Sequence, residues 1–103
     1  AGARLASASL SGANLSGSDL GKADLRYADL GGADMSYANL AAADLKGANL
    51  RLADLTNADL DHADLTYADL GGATLGGTSL NQVKLEGAIW TDGRRCGKSD
   101  CPR

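Results

Sequence analysis

Large apolar residues, mostly leucine, recur at every fifth position of this chain, and the positions between them are mostly small or polar. In the stretch ADLTNADLDHADLTYADL, residues 53–70, leucine occupies every fifth place, an alanine lies two places before each leucine, and an aspartate separates the two. At about 100° per residue, five residues of a helix advance about 140° beyond one full turn. A helix would scatter these leucines around its axis and would have no apolar face, so the pattern argues against a helix.

The same spacing argues against a long straight strand. Side chains of a strand alternate between two faces, so leucines an odd number of residues apart would point to opposite sides. Within one pentad, however, alanine and leucine lie two apart and share a face, while aspartate points the other way. The pattern therefore predicts a very short strand, a corner and another short strand, so that the chain coils around its own leucines.

The five-residue pattern covers nearly the whole chain, and repeats of this kind decide the architecture. Its centres fall on every fifth residue from Leu5 to Trp90 without an insertion, and all the centres between them are leucine except Met35. The residue two places before the centre is alanine, with three exceptions: Ser18, Thr78 and Val83. The sequence therefore predicts one repetitive domain.

The repeated motif A(D/N)LXX resembles that of the pentapeptide-repeat family, over residues 3–90. The resemblance implies an all-β fold, the right-handed quadrilateral β-helix, with four pentads in each coil; the spacing alone does not fix that number. The pentads present would make about four and a half coils of such a repeat structure. The residues expected to form the inward stack include Leu25, Met35, Leu45, Leu55, Leu65 and Trp90.

Composition favours a narrow stack of similar layers. The chain has no Phe and one Trp among its 103 residues, whereas a globular core needs mixed large side chains to pack tightly. Each coil can bury its leucines only against neighbouring coils, so stability is roughly a sum of nearest-neighbour contributions. Paired glycines, such as Gly31 with Gly32 and Gly71 with Gly72, adjoin the corners, where a positive φ is expected.

The repeat ends at residue 90 and is followed by the sequence TDGRRCGKSDCPR. We therefore divide the chain into a repeat β-helix, residues 1–90, and a C-terminal capping tail, residues 91–103. The first segment carries eleven acidic and six basic side chains, and the second carries two acidic and four basic ones. The rod is therefore acidic and its C-terminal end is basic. Trp90 is large enough to close over the last layer.

Cys96 and Cys101 enclose only the four residues GKSD. We predict a local disulfide, because the loop is short, Gly97 and Asp100 favour a turn, and a small cap gains from a covalent link. A metal site and two free thiols are the alternatives, although two thiols without CxxC spacing or a nearby histidine fall short of four zinc ligands. A disulfide would indicate an exported protein in an oxidising compartment (periplasm, lumen or exterior), with the cytoplasm as the alternative.

The sequence contains no catalytic constellation, and we expect no enzyme, cofactor or metal. The tripeptide GKS in the tail lacks the glycine that a phosphate-binding loop needs five residues earlier, where Asp92 stands. Asp59, Asp61, His62 and Asp64 form a carboxylate–imidazole cluster in the sequence, but all occupy outward repeat positions, where simple solvation explains them. A solid rod without a cleft would also offer a substrate no entry.

Four pentads per coil would align residues twenty apart in columns. Asp24, Asp44 and Asp64 would then lie above one another, and Tyr27 and Tyr67 would fall on the same face two coils apart. Aromatic anchors for a protein partner are one interpretation of the tyrosines, and surface cover beside a corner is the other. These five residues form the candidate partner surface.

Two classes of function remain. The first is a non-enzymatic structural or interaction scaffold, whose uncapped N-terminal coil, beginning AGARLASASL, joins another copy through free backbone groups as a closed dimer or an open filament. An ordinary cap formed by residues preceding Ala1 is the alternative. The second is implied by the resemblance, because some members of the family mimic DNA and bind type II topoisomerases such as DNA gyrase. An acidic rod fits a basic groove, but the modest charge and the basic tail weigh against it. We expect neither direct nucleic-acid binding nor membrane insertion, and no signal peptide or transmembrane run is visible.

Overall fold

The fold is an all-β solenoid built from single-residue β-bridges. The computed structural model describes residues 2–97, and in that range no helix and no strand longer than one residue is formed. Fourteen parallel bridges pair Arg4 with Asp24 and then every fifth residue with the one twenty further on, as far as Asp69 with Ile89. Four pentads therefore separate each pair of bridged residues, as the family resemblance implied.

The interior pentads all use their backbone in the same way. The Leu25 N–H donates to the carbonyl of Asp44 at 2.8 Å, and the Asp44 N–H donates back to the carbonyl of Ala23 at 2.9 Å. The Tyr27 N–H donates to the carbonyl of Lys46 at 2.9 Å. Because each coil bonds only to the coils before and after it, the molecule is a one-dimensional stack.

The corners are β-turns with a left-handed third residue. The Ala28 N–H closes one such turn onto the carbonyl of Leu25 at 3.1 Å, and Tyr27 within it has φ 60°. A positive φ at this position alone is the signature of a type II turn. The equivalent residue has a positive φ in all eighteen pentads from residue 2 to residue 87, and in ten of them it is not glycine.

The two glycines of each pair have different roles. Gly32 and Gly72 have φ 66° and 72°, as predicted for a corner. Gly31 and Gly71 do not have a positive φ, so the expectation fails for the first glycine of a pair. A Cβ at Gly31 would lie 3.2 Å from Asn49 Nδ2 of the next coil and 3.3 Å from Asp29 Oδ1, so crowding by these two side chains favours glycine there.

The core is a column of leucine, methionine and alanine that is closed in the middle and more open at its ends. No polar or charged side chain among the described residues is buried. Of the predicted inward stack, the five residues within the rod are at most 1% exposed and Trp90 is 7% exposed. Apolar residues nearer the ends are only partly buried: Leu5, Leu10, Leu15, Leu75, Leu80 and Val83.

Candidate interaction surface

The outward Asp or Asn of each pentad supports the corner that follows it. Asp44 Oδ1 accepts a hydrogen bond from the backbone N–H of Lys46 at 3.2 Å. The same bond, from a side-chain oxygen to the N–H two residues on, occurs in all twelve pentads from Asn14 to Asp69. These are Asx-turns, which Asp and Asn form because their short side chains reach that N–H. The outward carboxylates are therefore structural as well as exposed.

Asp61 accepts the backbone hydrogen bond that an Asx-turn would otherwise make in the next coil. Ser79 stands where the column would have Asp or Asn, and Asp61 instead accepts from the Asn81 N–H at 2.9 Å and from the Ser79 hydroxyl. These hydrogen bonds, led by that of Ser79, lower the pKa of the Asp61 carboxyl. Within residues 2–97, no group of three His, Cys, Asp or Glu side chains could hold a metal ion. Asp61 therefore has a structural role that the sequence cluster with His62 did not suggest.

Two basic side chains neutralise most of the charge of the column of Asp24, Asp44 and Asp64. Arg26 Nη2 lies 2.7 Å from Asp24 Oδ2, and Arg26 Nε lies 3.9 Å from Asp44 Oδ2. Lys46 Nζ lies 3.8 Å from Asp44 Oδ2 and 3.8 Å from Asp64 Oδ2. Acidic and basic groups alternate along this side of the rod, so it forms a ladder of ion pairs that leaves little net negative charge.

Acid should weaken this ladder. The hydrogen bond from Arg26 holds the pKa of Asp24 at about 2, below the value near 3.9 of an unfolded chain. A lowered folded-state pKa means that the contribution to stability is complete above about pH 4 and is lost as the pH falls towards 2. We expect the thermal midpoint to fall over that interval, and to fall less steeply in the variant Asp24→Asn. Thermal unfolding followed by circular dichroism at several pH values measures this, and equal slopes would contradict the assignment.

The excess negative charge lies on two other, adjacent sides of the coil. The side of Asp34 and Asp54, including its following corner, has no Arg or Lys. The next side carries Asp19, Asp59 and Asp61, with one basic residue, Lys22. Asn39 Nδ2 donates to Asp19 Oδ1 at 3.2 Å, so amides separate some of these carboxylates. An acidic surface two sides wide therefore lies beside the candidate surface that the sequence indicated, and not on it.

Tyr27 and Tyr67 are exposed but lie against the rod. Their exposed fractions are 68% and 64%, and Tyr37 and Leu52 are exposed to a similar degree. A Cβ added at Gly47 would lie 2.5 Å from Tyr27 Cε1. Tyr67 covers Gly87 in the same way, and Leu52 covers Gly72. Tyr27, Tyr67 and Leu52 therefore each lean over a glycine twenty residues further along, with the other side facing solvent. The residue twenty after Tyr37 is Asn57.

The C-terminal segment doubles back on the last coil. Ile89 forms an antiparallel bridge with Arg95, and the Cys96 N–H donates to the carbonyl of Ala88 at 2.7 Å. The Cys96 side chain is buried, with 3% exposed. Cys101 lies outside the described residues, so its disulfide with Cys96 stays a prediction.

The described part of the chain shows no pocket in which a small substrate could be enclosed. It also contains no helix that is long and apolar enough to cross a membrane. The surface that it presents to other molecules is therefore the outside of the coils: the ion-pair ladder with its tyrosines, the acidic sides and the two ends.

Comparison with known proteins agrees with this architecture. A family model described as pentapeptide repeats matches eight copies, over residues 1–36, 33–70 and 63–89. No match is found among curated proteins.

Solved structures of pentapeptide-repeat proteins resemble the chain closely. HetL of the cyanobacterium Nostoc sp. strain PCC 7120, involved in heterocyst differentiation regulation, is 43% identical with a TM-score of 0.87, over 90% of this chain and 43% of HetL. Rfr23 of the cyanobacterium Cyanothece 51142 is 39% identical with a TM-score of 0.68, over 84% of this chain and 63% of Rfr23. This chain thus spans less than two thirds of either protein.

A plant protein is also similar. A pentapeptide-repeat protein of the Arabidopsis thaliana thylakoid lumen is 35% identical with a TM-score of 0.57, over 93% of this chain and 70% of that protein. The family model and these relatives cover most of the repeat that the sequence shows. The chain belongs to the pentapeptide-repeat family.

Proposed function

We propose that this chain is a non-enzymatic interaction scaffold, folded as a right-handed quadrilateral β-helix of about four and a half coils. The observation that carries the proposal is the fixed presentation of outward side chains. Asx-turns hold the corners from Asn14 to Asp69, and residues twenty apart are bridged. Side chains at equivalent positions therefore form straight columns about 4.8 Å apart. The similarity to HetL, which is involved in heterocyst differentiation regulation, is in keeping with a non-enzymatic role.

The side of Asp24, Asp44 and Asp64 is the surface that we assign to a protein partner. Tyr27 and Tyr67 supply exposed apolar area beside the ion-pair ladder, and aromatic side chains often dominate the energy of protein interfaces. Because Arg26 and Lys46 pair with the carboxylates, the ladder would favour a partner that itself carries mixed charges.

The N-terminal coil is the surface that we assign to self-association. The Asp24 N–H bonds back to the carbonyl of Ala3. No such hydrogen bond, by contrast, is formed within residues 2–97 by the N–H groups of Arg4, Ser9 and Asn14. Leu5, Leu10 and Leu15 are also only partly buried. Unpaired strand edges next to apolar side chains are templates for another chain, so two copies can join through this coil as a closed dimer.

Ser9→Pro tests this association. Proline removes the backbone N–H, and that of Ser9 has no partner within the described part of the chain, so the monomer should fold as before. We expect light scattering to show dimer mass at high concentration for the starting protein and for the control Ser9→Ala, but monomer mass for Ser9→Pro. A monomer mass for all three proteins at every concentration would contradict self-association through this coil, and so would a dimer that Ser9→Pro leaves intact.

An exported location and a Cys96–Cys101 disulfide belong to the same proposal. Cys96 is buried in the doubled-back segment, and one relative with 35% identity comes from the thylakoid lumen, an example of such a compartment. We expect the freshly purified, unreduced protein to resist alkylation and to take up two alkyl groups after reduction. Intact mass spectrometry measures this. Two reactive thiols without reduction would exclude the disulfide and remove the main argument for export.

Mimicry of DNA towards a type II topoisomerase is the second candidate. The observation that favours it is the acidic surface formed by two adjacent sides, which hold Asp34 and Asp54, and Asp19, Asp59 and Asp61. Inhibition of supercoiling by purified DNA gyrase tests it, with Asp34→Asn and Asp54→Asn combined as the variant. Mimicry predicts that the protein inhibits gyrase and that the double variant inhibits it less. A scaffold that binds another partner predicts no inhibition by either protein.

A further inference from the structure

Every interior coil presents an edge that pairs with the next coil. The Leu65 N–H donates to the carbonyl of Lys84 at 2.8 Å, and the Lys84 N–H donates back to the carbonyl of Ala63 at 3.0 Å. The Tyr67 N–H donates to the carbonyl of Glu86 at 3.0 Å. Because this register is the same in each coil, the edge of one coil fits any other coil of the same repeat.

A hairpin takes part of this edge at the last coil. The Gly93 N–H donates to the carbonyl of Trp90 at 2.9 Å, and the Trp90 N–H donates to the carbonyl of Arg94 at 2.7 Å. Gly93 has φ 87°. The loop between Trp90 and Arg94 is thus a three-residue hairpin loop with a left-handed glycine, a common way to reverse a strand.

The returning strand bonds directly to the groups that a further coil would use. The Cys96 N–H donates to the carbonyl of Ala88 at 2.7 Å, and the Gly87 N–H donates to the carbonyl of Cys96 at 3.0 Å. Arg95 Nη1 donates to the carbonyl of Gly87 at 2.6 Å. The returning strand runs antiparallel, whereas the coils pair in parallel, so it ends the repeat and does not extend it.

Burial around the last coil follows the path of the hairpin. Ala88 and Trp90, beside the returning strand, are 0% and 7% exposed. Leu75 and Leu80, on other sides of the same coil, are only partly buried. The returning strand lies one strand spacing, about 4.8 Å, beyond the coil, which is the level that one side of a further coil would need.

We propose that the hairpin of residues 87–97 is an end block, which prevents the last coil from pairing with an end coil of a second copy of this chain. The covered surface is a parallel β edge around half-buried leucines, and the N-terminal coil of this chain has the complementary edge with Leu5 and Leu10 half-buried. The Cα extents are 29 × 25 × 21 Å. An end face of about 500 Å² on each copy would give an interface of about 1,000 Å², the lower limit for specific association.

Gly93→Val tests the end block. Valine strongly disfavours a left-handed φ, so the hairpin should open and uncover the edge. Gly17→Val is the matched control, because both glycines have positive φ and an added Cβ at either would meet nothing within 4 Å. We expect the mass of Gly93→Val, measured by light scattering, to rise steadily with concentration to many times the monomer mass. The starting protein and Gly17→Val should not grow in this way.

The masses of the starting protein and of Gly93→Val, taken together, separate this proposal from self-association through the N-terminal coil. If the starting protein is monomeric and Gly93→Val grows, the N-terminal dimer fails and the end block stands. If the starting protein is a dimer and Gly93→Val has the same mass, the end block fails and the N-terminal dimer stands. Arg95→Ala, which removes one hydrogen bond of the returning strand, serves if Gly93→Val does not fold, and it should grow more slowly. Masses equal to that of the starting protein in every folded variant overturn the end block.

Discussion

Leu45→Asp is expected to leave this protein unfolded at ordinary temperatures, without a cooperative unfolding transition. The Leu45 side chain is 0% exposed, and the described residues bury no polar or charged side chain that could receive the new carboxyl group. Burying such a group without a partner costs several kcal/mol, and the lost leucine packing adds about 2 to 5 kcal/mol. The sum is comparable with the whole stability of a small domain. Circular dichroism during thermal and urea unfolding measures the loss.

Ala6→Asp is the control for this substitution. Ala6 is exposed on the column that continues to Arg26, so an aspartate there meets water and a basic neighbour. We expect a change within about 0.5 kcal/mol, as for most surface substitutions. Thr56 would be a poor control, although it also points outward, because its hydroxyl donates to Asp54 Oδ1 at 2.5 Å. Equal losses for Leu45→Asp and Ala6→Asp would overturn the assignment of inward and outward positions.

The inward and outward positions could be predicted from the sequence because one physical rule fixes them. A period of five with two apolar residues two apart is compatible with few backbones, and a slip of one residue would expose every leucine. The number of pentads per coil came instead from the resemblance to the family, since the spacing of leucines is the same for any number of sides. The bridges between residues twenty apart supply that number directly.

The structural role of the outward carboxylates could have been predicted from the sequence, but we did not predict it. Asp or Asn at every fifth position from Asn14 to Asp69, each one place before the first residue of a β-turn, is the pattern of an Asx-turn. The substitution at Ser79 was harder to interpret, because Asp61 compensates for it from the preceding coil, eighteen residues away. A contact of that kind depends on the stacking register, which the local sequence does not contain.

The charge of the candidate surface also depended on stacking. The sequence places Asp24, Asp44 and Asp64 in one column, and that column alone looks acidic. Arg26 and Lys46 occupy the neighbouring column, and their side chains reach carboxylates of both their own coil and the next. The net charge of a side of the rod is therefore set by two columns together. The hairpin after Trp90 was predicted only as a cap of unspecified form, because the repeat pattern ends there.

Tyr27 and Gly47 illustrate an arrangement that links some corners of successive coils. The corner residue has a positive φ in both pentads, 60° at Tyr27 and 67° at Gly47. The tyrosine ring uses the space that the missing Cβ of the glycine leaves free, and the same arrangement joins Leu52 to Gly72. Tyr27, Leu52 and Tyr67 are thus each accommodated by a glycine in the next coil, whereas Tyr37 has Asn57 at that place.

Gly47→Val is therefore expected to cost about 2 to 3 kcal/mol, of which about 1 to 2 kcal/mol is the strain of an L-residue in the left-handed region. The remainder comes from the ring of Tyr27, because a Cβ at residue 47 would lie 2.5 Å from Cε1 and the ring would have to move. Gly32→Val is the matched control: its φ is 66° and an added Cβ would meet nothing within 4 Å, so it should show the strain alone.

A double-mutant cycle separates the two contributions. In a Tyr27→Ala background the ring is absent, so Gly47→Val should cost about as much as Gly32→Val does, while the cost of Gly32→Val should not change. Chemical unfolding of the four proteins of each cycle supplies the free energies. If Gly47→Val costs the same with and without the ring, then Tyr27 does not depend on the glycine for its position. Its exposed face would in that case be mobile, and the proposal that it acts as a fixed anchor for a partner would lose its physical basis.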